Sequence, residues 1–107
     1  MRGDVLKNHL ELLVLTALRA GPGHGYSIIR AIRERSRGEF ELLEGSLYPA
    51  LHRLERAGLV SSSWSEVGGR KRRVYKLSRR GRVALQEQER DWRRFERAMN
   101  LVLASGG

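Results

Sequence analysis

Apolar side chains recur at helical spacing through the first half of the chain, and the pattern changes after Gly58. Over residues 4–20, Leu6, Leu10, Leu13, Val14, Ala17 and Leu18 line one side of a helix, with Asp4 placed to cap it. Leu12 and Leu15 widen that side, which predicts a helix packed on two flanks. Gly21-Pro22-Gly23 ends it. A second helix is predicted over residues 24–36. Tyr26, Ile29 and Ile32, helped by Ile28, turn inward; Arg30, Arg33, Glu34 and Arg35 turn outward, and Arg37-Gly38 closes the helix. In the following link Phe40 and Leu42 are expected to plug the core, while Glu39, Glu41 and Glu44 concentrate acid there.

Residues 45–57 form a third helix with a narrow apolar stripe, Leu47, Ala50, Leu51 and Leu54. Ser46 is the expected N-cap, which places Pro49 in the first turn, where a missing N–H matters least; Gly58 ends the helix. Beyond it, residues 59–67 carry Val60 and Trp64 among serines, and residues 72–77 read Arg-Arg-Val-Tyr-Lys-Leu. Both are strand-like, and Gly68-Gly69 between them predicts a hairpin turn. Ser78 caps a last helix running to about residue 103, in which Leu85, Gln88, Trp92, Phe95, Met99 and Val102 follow one another at spacings of three and four. Three helices, a hairpin and a long helix make a mainly α chain with a small β-hairpin. This is a winged helix-turn-helix domain (residues 1–77), followed by a C-terminal dimerisation helix and short tail (residues 78–107). The last helix either folds back on its own domain or pairs with a second chain; its length favours the pair.

Charge changes what the third helix can mean. The chain carries a net charge of +9 over 107 residues, which favours an anionic partner. The outward face of the third helix bears Ser46, Tyr48, Pro49, His52, Arg53 and Arg56; its hydroxyls, phenol, imidazole and guanidinium groups suit the major groove of DNA, and by themselves fit an ordinary solvated helix face equally well. Arg70, Lys71, Arg72 and Arg73 follow the two-glycine turn, and four adjacent cations on a hairpin tip suit a phosphate backbone or a minor groove. Tyr26, at a helix start with free N–H groups, is read as a core residue whose hydroxyl adds a phosphate contact.

Other chemistries find little support. The absence of cysteine excludes disulfides and thiolate metal sites. His9, His24 and His52 lie far apart, Ser46 and His52 fall on different helical turns, and no glycine-rich phosphate loop or metal-ligand spacing is present, so neither enzyme activity nor a cofactor is expected. The longest apolar run, residues 12–15, is far short of a membrane span, and the first residues lack the apolar core of a signal peptide. A soluble cytoplasmic protein at the bacterial nucleoid is expected.

Four stretches resemble the PadR family of bacterial transcriptional regulators: Leu-Glu-Leu-Leu-Val-Leu at 10–15, Gly-x-Gly-His-Gly-Tyr at 21–26, Glu-Gly-Ser-Leu-Tyr-Pro-Ala-Leu-His-Arg-Leu-Glu at 44–55, and Gly-Gly-Arg-Lys-Arg-Arg-Val-Tyr at 68–75. The resemblance runs from about residue 10 to residue 103, and the block at 44–55 is its most specific part. It implies a homodimeric repressor bound to an inverted-repeat operator. The single C-terminal helix is similar to that of the shorter subgroup, where it swaps against the partner subunit. In some members a tryptophan at the position of Trp92 lines a flat effector pocket at the dimer centre, so a planar aromatic effector is implied beside a plain packing role. The alternative function is a basic winged-helix interaction module that binds RNA or a protein partner.

Overall fold

The computed structural model describes residues 6–105. In chain order it contains α1 (Leu10–Arg19), β1 (Gly23–His24), α2 (Gly25–Arg35), α3 (Glu44–Arg56), β2 (Val60–Val67), β3 (Arg70–Leu77) and α4 (Arg79–Ala104). The expected cap Asp4 lies outside the described residues, as do residues 106–107 of the tail. A turn at Asn8–His9, with His9 N–H bonded to the Leu6 carbonyl at 2.9 Å, interrupts the helix predicted over residues 4–20.

Helix α1 is central. It packs against α2, α3, β3 and α4, which accounts for its wide apolar surface: Leu10, Val14, Leu15 and Leu18 are buried, with Leu12, Leu13 and Ala17 packed beside them. The stripe of α3 is buried as its spacing predicts, Leu47, Ala50 and Leu51 completely and Leu54 almost so. Leu42 and Phe40 close the core from the link, as expected. Among the described residues no polar side chain is buried.

Three local expectations are corrected. Tyr26 is 61% exposed, because the buried stripe of α2 runs through Gly25, Ile28 and Ile32, and position 26 turns away from it. Ser46 is not the N-cap of α3. That helix begins one turn earlier, at an extended Leu43 without a side-chain cap; the Leu43 carbonyl accepts from Ser46 and Leu47 N–H at 3.0 Å each. Pro49 therefore stands in the second turn, where it leaves the Gly45 carbonyl without its usual helical donor. That carbonyl lies at an exposed residue, open to water.

The third correction concerns the sheet, which has three strands in the order β1-β3-β2, all antiparallel. β2 and β3 form the predicted hairpin, pairing from Val60↔Leu77 to Val67↔Arg70 across Gly68 and Gly69. Both glycines have positive φ (59° and 79°), as the tight two-residue turn requires. β1, within the expected break, covers the other edge of β3 through Gly23↔Tyr75 and His24↔Val74. A two-residue strand has no periodicity of its own, so only the unpaired edge it covers explains it.

Hydrogen bonds tie the end of α3 to the start of α4. Gly58 (φ 77°) ends α3 with its N–H bonded to the Glu55 carbonyl and the Leu59 N–H bonded to the Leu54 carbonyl at 2.9 Å, a Schellman closure. Ser78 Oγ donates to the Gly58 carbonyl at 2.6 Å and accepts from Gly81 N–H at 3.0 Å, capping α4 as its sequence predicts. From there α4 packs along α1, with Trp92 against His9, and its exposed C-terminal half stretches the molecule to 59 × 28 × 21 Å. Among the described residues the helix is thus folded back over its first half and exposed over its second.

Candidate nucleic-acid interface

Three elements present polar groups on neighbouring surfaces. On α3 the buried stripe leaves Ser46, Tyr48, Pro49, His52, Arg53 and Arg56 exposed, as one outward face. Tyr48 links that face to the start of α2. Its phenol lies over Gly25, so closely that a Cβ at Gly25 would come within 2.6 Å of Tyr48 Cζ. A larger residue at this first position of α2 would push the Tyr48 ring aside. The same helix start is tightened by Ser27, whose Oγ accepts from His24 N–H at 3.0 Å and donates to the His24 carbonyl at 2.8 Å. Tyr26 stands beside it, exposed, with the Arg30 guanidinium 5.8 Å from its ring centroid.

The wing meets this helix start through β1. Arg72 Nη1 lies 3.4 Å from His24 Nε2. Partial burial, then the nearby charges of Arg72 and Arg30, hold the His24 imidazole below its ordinary pKa. Arg70 and Lys71 are exposed at the turn. Arg73 differs from the other three cations predicted for the wing. It is half-buried, its Nε donates to Ser62 Oγ at 3.0 Å, and its guanidinium lies 5.2 Å from the Trp64 ring centroid. His24, Ser62 and Glu55 were missed in the sequence because their partners are far away along the chain. Trp64 was legible only as a strand residue.

The seam of α4 divides. Leu85 is buried in the core of its own chain, and Gln88 is half-buried near α1. Glu89 pairs with Arg19 of α1 and, at 3.4 Å, with Arg93; these hydrogen bonds and charges, Arg19 first, hold its carboxyl below the usual range. Trp92 stands edge-on to His9 with ring centroids 5.2 Å apart, and it also lies 5.8 Å from Phe95. His9, Leu12, Gln88, Asp91, Trp92 and Phe95 line an open depression of about 260 Å³. Phe95, Met99 and Val102 are exposed, as are Leu101 and Leu103 beside them. Among the described residues no cluster of His, Asp or Glu suits a metal ion, and no helix is long and apolar enough to cross a membrane.

The profile of the transcriptional regulator PadR-like family matches residues 14–87. The chain belongs to this family. PadR-like regulators of known structure share its fold: one from Clostridium difficile is 32% identical, with a TM-score of 0.78 over 89% of this chain and 98% of that one. The transcriptional regulator Rv3488 of Mycobacterium tuberculosis is 48% identical over 58 residues, 54% of each chain. Bacillus subtilis PadR in complex with operator DNA shares the fold at 24% identity, with a TM-score of 0.67 over 74% of this chain and 45% of that one. The winged helix, its long C-terminal helix and the role of transcriptional regulator therefore hold for this PadR-like chain.

Proposed function

We propose that this PadR-like regulator is a cytoplasmic homodimeric repressor that binds an inverted-repeat operator in double-stranded DNA, with α3 in the major groove. The observation that carries the reading is the exposed face of α3, held on a fully buried stripe and flanked by the start of α2 and the wing. Ser46, Tyr48, Pro49, His52 and Arg53 address base edges and adjoining phosphates; Tyr26 and the N–H groups at the start of α2 take a phosphate; Arg70, Lys71 and Arg72 follow the backbone. The fold shared with a PadR protein bound to operator DNA supports the same mode here. Residues 1–77 act as the reading domain and residues 78–107 as the dimerisation segment. Trp92, Phe95, Met99 and Val102 form the pairing surface, and Gln88 stands at its inner end. A planar aromatic effector stacked on Trp92 alters the angle between the paired helices, and so the spacing of the two reading heads.

The test compares a bound operator with random duplex. Tyr48→Ala and His52→Ala are expected to weaken operator binding by about tenfold each while changing random-duplex binding much less, since lost base contacts are worth roughly 1–3 kcal/mol. Equal losses on both duplexes would remove α3 as the reading element. Tighter binding to structured RNA than to any duplex would favour an RNA-binding module instead.

A further inference from the structure

The wing displays one large aromatic side chain that the proposed function leaves unused. Trp64 is 66% exposed although it lies in the middle of β2. Strand alternation puts Val60, Ser62, Trp64 and Glu66 on one face of the hairpin, opposite Leu77, Tyr75, Arg73 and Lys71 in register. At the base of this face Val60, Tyr75 and Leu77 are buried in the core, so the face runs from the core outward to the tip.

A continuous set of contacts joins the indole to α3. Ser62 Oγ donates to Glu55 Oε2 of α3 at 2.6 Å, and Arg73 Nε donates to Ser62 Oγ at 3.0 Å. The Arg73 guanidinium then lies over the indole, its direct cross-strand partner, at 5.2 Å. Arg73 is thereby held in one orientation, whereas Arg70, Lys71 and Arg72 are exposed around the turn. An exposed indole held by a cation, next to three cations that attract a polyanion, is pre-ordered to pack on an apolar part of that polyanion. Little side-chain freedom remains to be lost when it does so.

We infer that Trp64 is a duplex-contacting residue of the wing, its indole packed on the sugar edge of the DNA strand beside the half-site. Arg73 is a positioning residue that holds it there, tied to α3 through Ser62 and Glu55. The inference rests on the DNA-binding reading above and assigns Arg73 a role different from that of its basic neighbours. The three basic neighbours attract phosphate; Trp64 and Arg73 set how far the wing lies from α3 when the duplex arrives.

In the full-length wild-type protein the Trp64 emission is read as the part of the signal lost in Trp64→Phe, since the chain's other tryptophan is Trp92. Adding random-sequence duplex is expected to shield Trp64 from acrylamide quenching. In the wild-type background Trp64→Ala weakens duplex binding roughly five- to tenfold with the salt slope unchanged, and Trp64→Phe recovers most of the loss. Ser62→Ala, which removes no charge, weakens binding and restores mobility to Trp64 in fluorescence anisotropy. Arg73→Lys, which keeps the charge, fails to rescue. Thermal melts of each variant confirm that the fold is retained. The inference is overturned if quenching is unchanged by duplex, or if Arg73→Lys binds like wild type while Arg73→Gln lowers the salt slope by about 0.9, the signature of an ordinary phosphate contact. In those cases the reading of α3 stands, because its own test is the discrimination lost in Tyr48→Ala and His52→Ala. A wild-type protein with no affinity for duplex rejects both.

Discussion

Tyr48 shows how one side chain serves two elements. It projects from α3, yet its phenol occupies the space that a Cβ at residue 25 of α2 would need. Gly25→Ala is therefore expected to displace the Tyr48 ring and destabilise the fold by about 1–3 kcal/mol, the usual range for forcing a methyl group into a packed site. A double-mutant cycle with Tyr48→Ala checks this: the penalty at Gly25 should largely vanish once the phenol is gone. His24, one residue earlier, supplies a pH dependence. Its folded-state pKa lies below the ordinary value of 6.5. The unfolded chain therefore binds the proton more readily, and the contribution of His24 to stability is present above pH 6.5 and lost as pH falls through the folded pKa. Denaturant midpoints measured across that window should decline toward acid in the wild type and decline less in His24→Gln. An equal decline in both would assign the effect to other groups.

At the scale of elements, the joint between α3 and α4 deserves a direct mechanical test. Ser78 caps α4 with the same hydroxyl that bonds the Gly58 carbonyl, and Gly81 lies against the Leu59 carbonyl. A Cβ at Gly81 would stand 2.9 Å from the Leu59 carbonyl carbon and nearer still to its oxygen. Backbone cannot swing aside as a flexible side chain does. Gly81→Ala is thus predicted to destabilise by roughly 1–3 kcal/mol, and Ser78→Ala by about 1 kcal/mol through loss of the cap. Thermal or denaturant melts check both values. If the joint transmits the pose of α4 to α3, operator affinity in Gly81→Ala should fall even where the protein is fully folded. Unchanged affinity would show that α3 is held by its buried stripe alone.

For the whole molecule the question is what covers the free half of α4. The first turns belong to the domain, since Leu85 is in its core and Glu89 is paired with Arg19. A truncation before Leu85 would therefore damage the fold as well as any dimer. A cleaner probe is the pair Met99→Glu and Val102→Glu, both exposed and in the last turns of α4, well past Trp92. Sedimentation at micromolar concentration is expected to show a dimer for the wild type and a monomer of unchanged secondary structure for the double variant, because an apolar stripe of this length is unusual on an isolated soluble chain. A monomeric wild type would refute the pairing surface.

Much of this molecule was legible in its sequence, where the information is local. The stripe Leu47, Ala50, Leu51, Leu54 declared a helix with one buried side, Gly68-Gly69 a tight hairpin turn, and Ser78 a helix start, because periodicity, positive φ and capping act within a few residues. The outward face of α3 followed, since whatever is not in the stripe must face out. Tertiary structure decided the rest. The spacing of Tyr26 with Ile29 and Ile32 places it inside, yet it is outside, because the partners of α2 select Gly25, Ile28 and Ile32. Ser46 looked like a cap, but the extended backbone at Leu43 starts the helix one turn sooner. Strand β1 exists only because β3 has an edge to cover, and the line from Glu55 through Ser62 and Arg73 to Trp64 joins residues from three elements. Such contacts depend on which surfaces meet after the chain has folded, and no local pattern of hydrophobic and polar residues encodes the meeting.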